Sequence, residues 1–487
     1  MDNTSSPHNP YVTDLPKLID NAGFFTRIRQ LCALGYIPLY YFGSAKSILH
    51  CGMAKNNKEM EFLCTGFPKK GAYPALSTDF PAFHIFEREL FEEWGILPEA
   101  HPWLKPLRFP PDSKVKMKDY PFFNSKSQVL HEVGVGPVHA GVIEPGHFRF
   151  ICHGESIEHL EIQLGYQHRG ICKLMQKGDI RTKMPLAEMI AGDTAIGHGL
   201  AYCLAVEALC GVQPKQSVQS IRLVALELER IAMHLADLSA LSGDIAYLSG
   251  LNFFAALRTT VINSSLAICG SRFGKRWLRP GGVNYGISAQ QNKVLRDTLD
   301  TFEAQFNRSS KALFGDSGVL NRFDSTGSIS LQAAQELNMS GITAKACSYE
   351  VDARKDFPIK EAESFEPVTE QSGDVYARAM VRYREINQSL ELIRYLLSTL
   401  PDNSDIESGD IPQPNKAKMA VSIVEGWRGR IVHVLISADD GSTELYKIYD
   451  PSLHNWFALA LAVRGEGISD FPLCNKSFDL SYCGADL

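Results

Sequence analysis

Residues 134–178 read GVGPVHAGVIEPGHFRFICHGESIEHLEIQLGYQHRGICKLMQKG, and the periods within them decide the architecture around them. His147, Arg149 and Ile151 alternate with Phe148, Phe150 and Cys152, while Glu158, Leu160, Ile162 and Leu164 alternate with His159, Glu161 and Gln163. A period of two sends successive side chains to opposite faces of a strand, so two strands flanking HGES form a β-hairpin. Beyond Tyr166 the period changes, and Ile171, Leu174 and Met175 predict a short helix stopped near Gly178. From Pro185 to Pro401 the pattern is mostly helical. Ile221, Val224, Leu228, Ile231 and Leu235 make one apolar stripe; Ala379, Tyr383, Ile386, Leu390, Ile393 and Leu397 make another, closed by Pro401. Such stripes are core faces of a helix bundle. Asp402 to Lys416 is a polar loop, and IVHVLISADDGSTELYKIYD reads as two strands around an Asp-Gly turn.

The chain has 487 residues, 45% apolar and 21% charged, enough for two or three domains with substantial cores. Its 49 basic and 55 acidic residues give a net charge of -6 and form no long basic run, which disfavours nucleic acid and anionic membrane surfaces as partners. Eleven cysteines, none in CxxC spacing, suit a reducing compartment. The polar start MDNTSSPHNP has no signal-peptide core, and no apolar run reaches about 18 residues. A cytoplasmic protein without a direct membrane span is expected.

Residues 1–12 read as a disordered lead and 13–110 as a small α/β domain. The latter closes with a helix carrying Phe86, Leu90 and Trp94 on one face. Its carboxylates Glu87, Glu89, Glu92 and Glu93 read as a solvated helix face. Residues 111–129, rich in Pro, Lys and Asp, read as a linker, and 130–487 as the main domain. Neither a GxGxxG nor a phosphate loop occurs.

EPGHFRF and GYQHRG resemble the start of the large subunit shared by nickel-iron hydrogenases and the quinone-reducing arm of respiratory complex I, in its energy-converting, formate-hydrogenlyase-type branch. SIRLVALELERIAMHLADLSALSGDIAY, LNRFDSTGSIS, VDARKDFP and VEGWRGRIVHV extend that resemblance, and the NKSF-x-LSY ending has the form of the cysteine-less members. FERELFEEWGI and HPWLKPLR resemble the accessory domain that complex I carries as its separate 30-kDa subunit. The resemblance implies an α+β, multi-domain hydrogenase large-subunit fold.

It also implies a site. In true hydrogenases two Cys-x-x-Cys pairs hold nickel and iron, because soft thiolates suit these metals. Here the first pair aligns with Ala191 and Thr194, and the Asp-Pro-Cys-x-x-Cys pattern aligns with Asp450, Pro451, Ser452 and Asn455. No metal and no cofactor bound by this chain is therefore expected. Cys203 and Cys474 lie elsewhere in the pattern and read as small buried hydrophobes. Complex I relatives use the vacated cavity for a quinone; His147 matches their hairpin His, but Gly192 stands where they place a Tyr. Cys172 occupies the position of a Glu that helps hold magnesium in some hydrogenases, which argues against a magnesium site.

What remains is a candidate proton relay: Glu144, aligned with a proton-relaying glutamate, then Asp193, Asp450 and His198, with His139, His147 and His168 nearby in sequence. Glu144 beside Pro145 also reads as a turn residue, and Asp450 before Pro451 as a helix-start residue. The histidines at 131, 139, 147, 153, 159 and 168 do not read as a metal cluster, since His147 and His153 are expected on different strands and faces.

The function implied is that of a large subunit in a membrane-associated oxidoreductase complex. It would couple electron transfer from a small iron-sulfur subunit to proton or cation movement in antiporter-like membrane subunits, on the cytoplasmic face of the inner membrane. Two alternatives stand: a non-redox coupling or scaffold subunit, and quinone reduction through a rearranged site. Without nickel ligands the C-terminal trimming of hydrogenases has no trigger, so Leu487 is expected to be retained.

Overall fold

The computed structural model describes residues 9–141, 143–359, 365–401 and 410–487. Tyr11–Asp14 (β1) and Leu18–Ile19 (β2) precede helix Asn21–Ala33 (α1), where the Asp20 carboxylate accepts the Gly23 amide as N-cap. Strands Ile37–Ser44 (β3), Ile48–Asn56 (β4) and Glu59–Gly66 (β5) lead to helix His84–Trp94 (α2), which stops on a left-handed Gly95. The order β2-β5-β4-β3 makes one sheet, with α1 packed on β5 and α2 on β3.

Strands His131–Val135 (β6), His147–His153 (β7) and Ser156–Gln163 (β8) make the second sheet, ordered β8-β7-β6. The predicted hairpin is present, with a bulge between Ile157 and His159. His147 and His153 both lie on β7 at even spacing, so they share a strand and a face, contrary to the expectation of different ones. Helix Ile171–Met175 (α3) follows as expected. The bundle comprises Ala195–Cys210 (α4), Gln216–Asp244 (α5), Leu248–Cys269 (α6), Ala289–Gly315 (α7) and Val375–Thr399 (α8). Of these α4 is apolar all round and buried almost throughout, as a central helix must be.

The third sheet joins the two halves of the chain. Lys418–Gly426 (β9), Gly429–Ser437 (β10) and Thr443–Tyr449 (β11) pair antiparallel, and β1 pairs with β9 to complete the order β1-β9-β10-β11. Every residue of β10 is buried because both faces are covered. Ile431, Leu435, Tyr446 and Ile448 enter the helical core with α4. Val432, Val434, Ile436 and Tyr449 enter a second core with Phe24, Tyr41 and Phe86 of the N-terminal unit. Helices Pro451–Ala462 (α9), Phe471–Phe478 (α10) and Tyr482–Asp486 (α11) complete the chain. No helix among the described residues is long and apolar enough to cross a membrane.

Three further expectations need correction. The lead expected to be disordered over 1–12 falls outside the described residues up to residue 8, but from Asn9 onward it is built into the core. Tyr11 and Val12 pair with Val421 and Ala420, and the Asn9 amide oxygen accepts the Ile423 N–H at 3.1 Å. This closes what would be an open edge of β9. The acids of α2 do not form a solvated face. Glu87 accepts the amides of Leu76 and Ser77 at 2.7 and 3.1 Å, and Glu92 accepts those of Leu107, Arg108 and Phe109 at 3.2, 2.8 and 2.9 Å. Glu89 and Glu93 face Lys447 of β11 at 3.3 and 2.7 Å. Within the linker, Tyr120 is buried, Phe123 N donates to Glu161 at 2.8 Å, and the Met117 carbonyl accepts from Gln163 at 2.8 Å, so this stretch packs along β8.

Candidate functional site

The turn Ala191–Thr194 leads into α4, and its geometry is set from α5 and β9–β10. Glu229 accepts the Ile196 and Gly197 amides at 2.7 and 3.0 Å, satisfying two of the free N–H groups that open α4. Removal from water pushes its carboxyl up to about 8, against the pull of those amides and helped by Asp193. Trp427 Nε1 donates to the Asp193 carbonyl at 3.0 Å and to Thr194 Oγ1 at 3.1 Å. Arg428 forms a two-pronged pair with the Asp193 carboxylate at 2.6 and 2.7 Å, and its Nε donates to the Asp479 carbonyl. Arg428 is therefore clamped between the first motif and the C-terminal segment. Burial opposes its charge, but Asp193 and Asp479 hold its pKa above the ordinary arginine value.

Behind this clamp runs a buried hydrogen-bonded line. His198, in the first turn of α4, bonds through Nε2 to Asp450 Oδ2 at 3.0 Å and through Nδ1 to His433 Nε2 at 3.1 Å. His433 Nδ1 meets the Tyr446 hydroxyl at 2.8 Å. Period two on β10 and β11 turns His433 and Tyr446 to the helical face of the third sheet, where α4 lies. Asp450 is the N-cap of α9 and accepts Ser452 N at 2.7 Å. Burial pushes the Asp450 carboxyl up, yet His198, Ser452 and Arg428 outweigh it and hold it below the ordinary value. Burial, and then His198, push His433 well below the usual imidazole range.

One order of protons satisfies this line. An ionised Asp450 only accepts, so His198 Nε2 donates to it; with one proton on each ring, His198 Nδ1 accepts from His433 Nε2–H, and His433 Nδ1 accepts from the Tyr446 hydroxyl. Every group in the line is satisfied with one proton on each ring. Protonating Asp450 would allow the whole line to reverse, which is the arrangement a proton wire needs.

The C-terminal segment closes the site. Cys483 bonds to the Gly192 backbone, and its thiol is pushed up to about 11 by burial and by Glu144. Glu144 accepts the amides of Tyr482 and Cys483 at 3.2 and 3.5 Å. Ser481 N donates to Ser452 Oγ at 3.0 Å, and a Cβ added at Gly484 would stand 2.7 Å from the Asp450 carboxylate. Arg169 of the HRG motif donates to the carbonyls of Ile190 and Cys483 at 2.8 and 3.0 Å, tying the first motif to this segment.

The structure thus brings together Asp193, His198, Asp450 and Glu144, along with Ala191, Thr194 and Ser452. It does not bring Asn455 there: its amide brackets the backbone of Ser340 at 3.3 and 3.1 Å. Facing Gly192 and Asp193 instead is Asp479-Leu480-Ser481-Tyr482-Cys483-Gly484, which repeats the Asp-x-X-x-x-X spacing of the second cysteine motif. That spacing is present in the sequence, which carries an Asp-Pro pair at Asp450 as well. His147, His139 and His168 are each spent on a backbone carbonyl, of Gly136, Gly146 and Asp486, at 3.2, 2.8 and 2.8 Å. They do not join the line.

Sequence reasoning missed Arg428, His433, Tyr446 and Cys483. It also missed a buried ion cluster beyond Trp427. There Lys345 meets Asp352, Glu425 and Glu385, Arg354 meets Asp352 at 2.7 Å, Arg230 meets Glu227 at 2.9 Å, and His234 meets Glu385 at 2.9 Å. Its members come from LELERIAMH, GITAKACS, VDARK, REINQS and VEGWRG, stretches whose charges interrupt apolar runs; that interruption was the available signal. Where a magnesium ion would sit beside a glutamate in some hydrogenases, Cys172 instead has Lys447 and Arg108 nearby, both paired with Glu89.

A bundle and sheet enclosing such a site define a large-subunit architecture of the hydrogenase and complex I type. A family model described as the 49 Kd subunit of respiratory-chain NADH dehydrogenase matches residues 244–423. The chain is 28% identical over 479 residues to the C/D subunit of the NADH-quinone oxidoreductase of Nitrosospira multiformis, covering 85% of this chain and 78% of that one. It is 28% identical over 352 residues to the carbon monoxide-induced hydrogenase of Rhodospirillum rubrum, covering 72% and 97%. Against hydrogenase-4 component G of Escherichia coli the identity is 26% over 439 residues, covering 85% and 76%. The chain is a homologue of the complex I 49 kDa subunit and of these hydrogenase proteins, as EPGHFRF and GYQHRG imply.

Proposed function

We propose that this chain is the large subunit of a membrane-associated, complex I-like oxidoreductase complex that moves protons at the site of a lost nickel-iron centre. Electrons would arrive from a small iron-sulfur subunit, and the proton or cation would leave through membrane subunits, with the chain peripheral on the cytoplasmic face of the inner membrane. The observation that carries this reading is the line Asp450, His198, His433 and Tyr446, satisfied in one direction and reversible in the other.

The donor set does not fit nickel. Ala191, Thr194 and Ser481 offer no thiolate, Gly484 offers no side chain, and the Arg428 guanidinium occupies the ground between the motifs. The decisive measurement is made on the purified complex with an artificial electron donor. Asp450→Asn and His198→Gln are expected to lower proton-coupled turnover by about 10²-fold while cluster spectra stay unchanged. Undiminished coupled turnover in both variants refutes the relay, and a stoichiometric nickel signal from the wild-type complex refutes the vacated centre.

The Arg428 clamp favours a second reading, a non-redox coupling subunit in which Asp193 and Asp479 only transmit a charge change. Cluster-binding cysteines in the partner small subunit decide for electron transfer, and their loss decides for coupling alone. Open space beside Gly192, where an added Cβ meets nothing within 4 Å, supports a rearranged quinone site, which predicts inhibition by quinone-site ligands.

A further inference from the structure

On the far side of β8 from the third strand of its sheet lies a cavity of about 120 Å3, bounded by α2, the 103–107 segment, β8 and α9. Its walls are apolar and aromatic, from Trp103, Leu160, Trp456 and Phe457. An apolar cavity of about 150 Å3 admits benzene, so this one takes a single ring, with its partly open mouth available to a polar substituent.

The charges around it do not balance. Arg88 lines the cavity and is only 8% exposed; its guanidinium donates to the carbonyls of Lys105 and Pro106 at 2.8 Å each, and no carboxylate of the described residues forms an ion pair with it. Burial pulls its pKa below the ordinary arginine value against the pull of Tyr120, Glu92 and Glu161. Arg464 lies exposed at the cavity and likewise has no ion-pair partner among the described residues. The one lining acid, Glu161, is already engaged by Lys105 at 2.9 Å and by Phe123 N at 2.8 Å. Finally, His159 Nε2 is buried without a hydrogen-bond partner among the described residues, its ring set edge-on between Trp103 and Phe123 at 5.8 Å. A buried cation without a counter-ion and an orphaned ring nitrogen both cost stability until something answers them.

We infer that this cavity binds a small organic anion, of the class of a one-ring aromatic carboxylate. The ring lies between the aromatic walls, the carboxylate answers Arg88 and Arg464, and His159 supplies or takes the remaining hydrogen bond. The site is separate from the Asp450 line and stands whether or not the proposed relay does.

Calorimetric titration of the full-length chain with benzoate tests it. Saturable one-to-one binding with a Kd below about 1 mM is expected, with benzamide, the uncharged analogue, at least about tenfold weaker. Arg464→Ala, a surface change that leaves the thermal melt in place, is expected to weaken benzoate about tenfold and benzamide little. Absence of saturation with benzoate, equal affinity for the two compounds, or an unchanged benzoate affinity in the Arg464 variant each overturns the assignment.

Discussion

Gly484 and Gly192 stand on either side of the same site under opposite constraints. A methyl group at Gly484 would press on the Asp450 carboxylate at 2.7 Å, whereas one at Gly192 meets nothing within 4 Å. Gly484→Ala is therefore expected to lower stability by about 1–3 kcal/mol and Gly192→Ala to stay within about 0.5 kcal/mol, read from denaturant midpoints at constant slope. Titration behaviour also belongs to this scale. Glu229 has a folded pKa raised to about 8, so the folded state holds its proton more tightly than the unfolded chain. Stability then falls as pH rises from about 4.5 towards 8. Glu229→Gln should flatten the melting temperature across that window, and an unchanged pH profile would count against the assignment. Asp450 works the other way: its lowered pKa contributes stability above about pH 4 that is lost as acid protonates it. Asp193, His198 and Asp450 were legible because each adjoins a motif. His433 and Tyr446 were not, since a polar residue inside IVHVLIS or ELYKIY carries no local sign of what faces it across the core.

At the scale of elements, alternation and helical stripes were the reliable signals: β7, β8, α3, α5 and α8 all lie where their periods place them. Among the strands missed was β9, because KMAVSIVEG is buried along nearly its whole length and shows no in-out rhythm. Period also fails to say what a polar helix face meets. The acids of α2 looked solvent-facing, yet Glu89 and Glu93 reach Lys447 across the seam between the N-terminal unit and β11. Removing one partner of such a pair leaves the others uncompensated. Lys447→Ala should destabilise the chain by about 3–5 kcal/mol, and the double variant with Glu89→Gln should recover part of it. Additive losses in the double-mutant cycle would show that the seam does not depend on this pairing.

For the whole molecule, the third sheet is the shared wall of two cores, one with the helix bundle and one with the N-terminal unit. Residues 13–110 resemble a separate subunit, but here Met419, Val432 and Tyr449 complete the core of this unit from the far end of the chain. A fragment of residues 13–110 should accordingly lack a cooperative melt, while the full chain should melt with the two units coupled; an isolated fragment with a sharp transition would refute this. The pairing of β1 with β9 bears on biosynthesis. Asp14 and Lys418 are 404 positions apart, and translation at about 5–20 residues per second separates their emergence from the ribosome by about 20–80 s. Throughout that interval the first strand exists without the neighbour it will need, and Tyr11 waits uncovered. The nascent chain is thus a client for whatever shields unpaired strands during synthesis, and a pause in translation before residue 418 would lengthen its exposure.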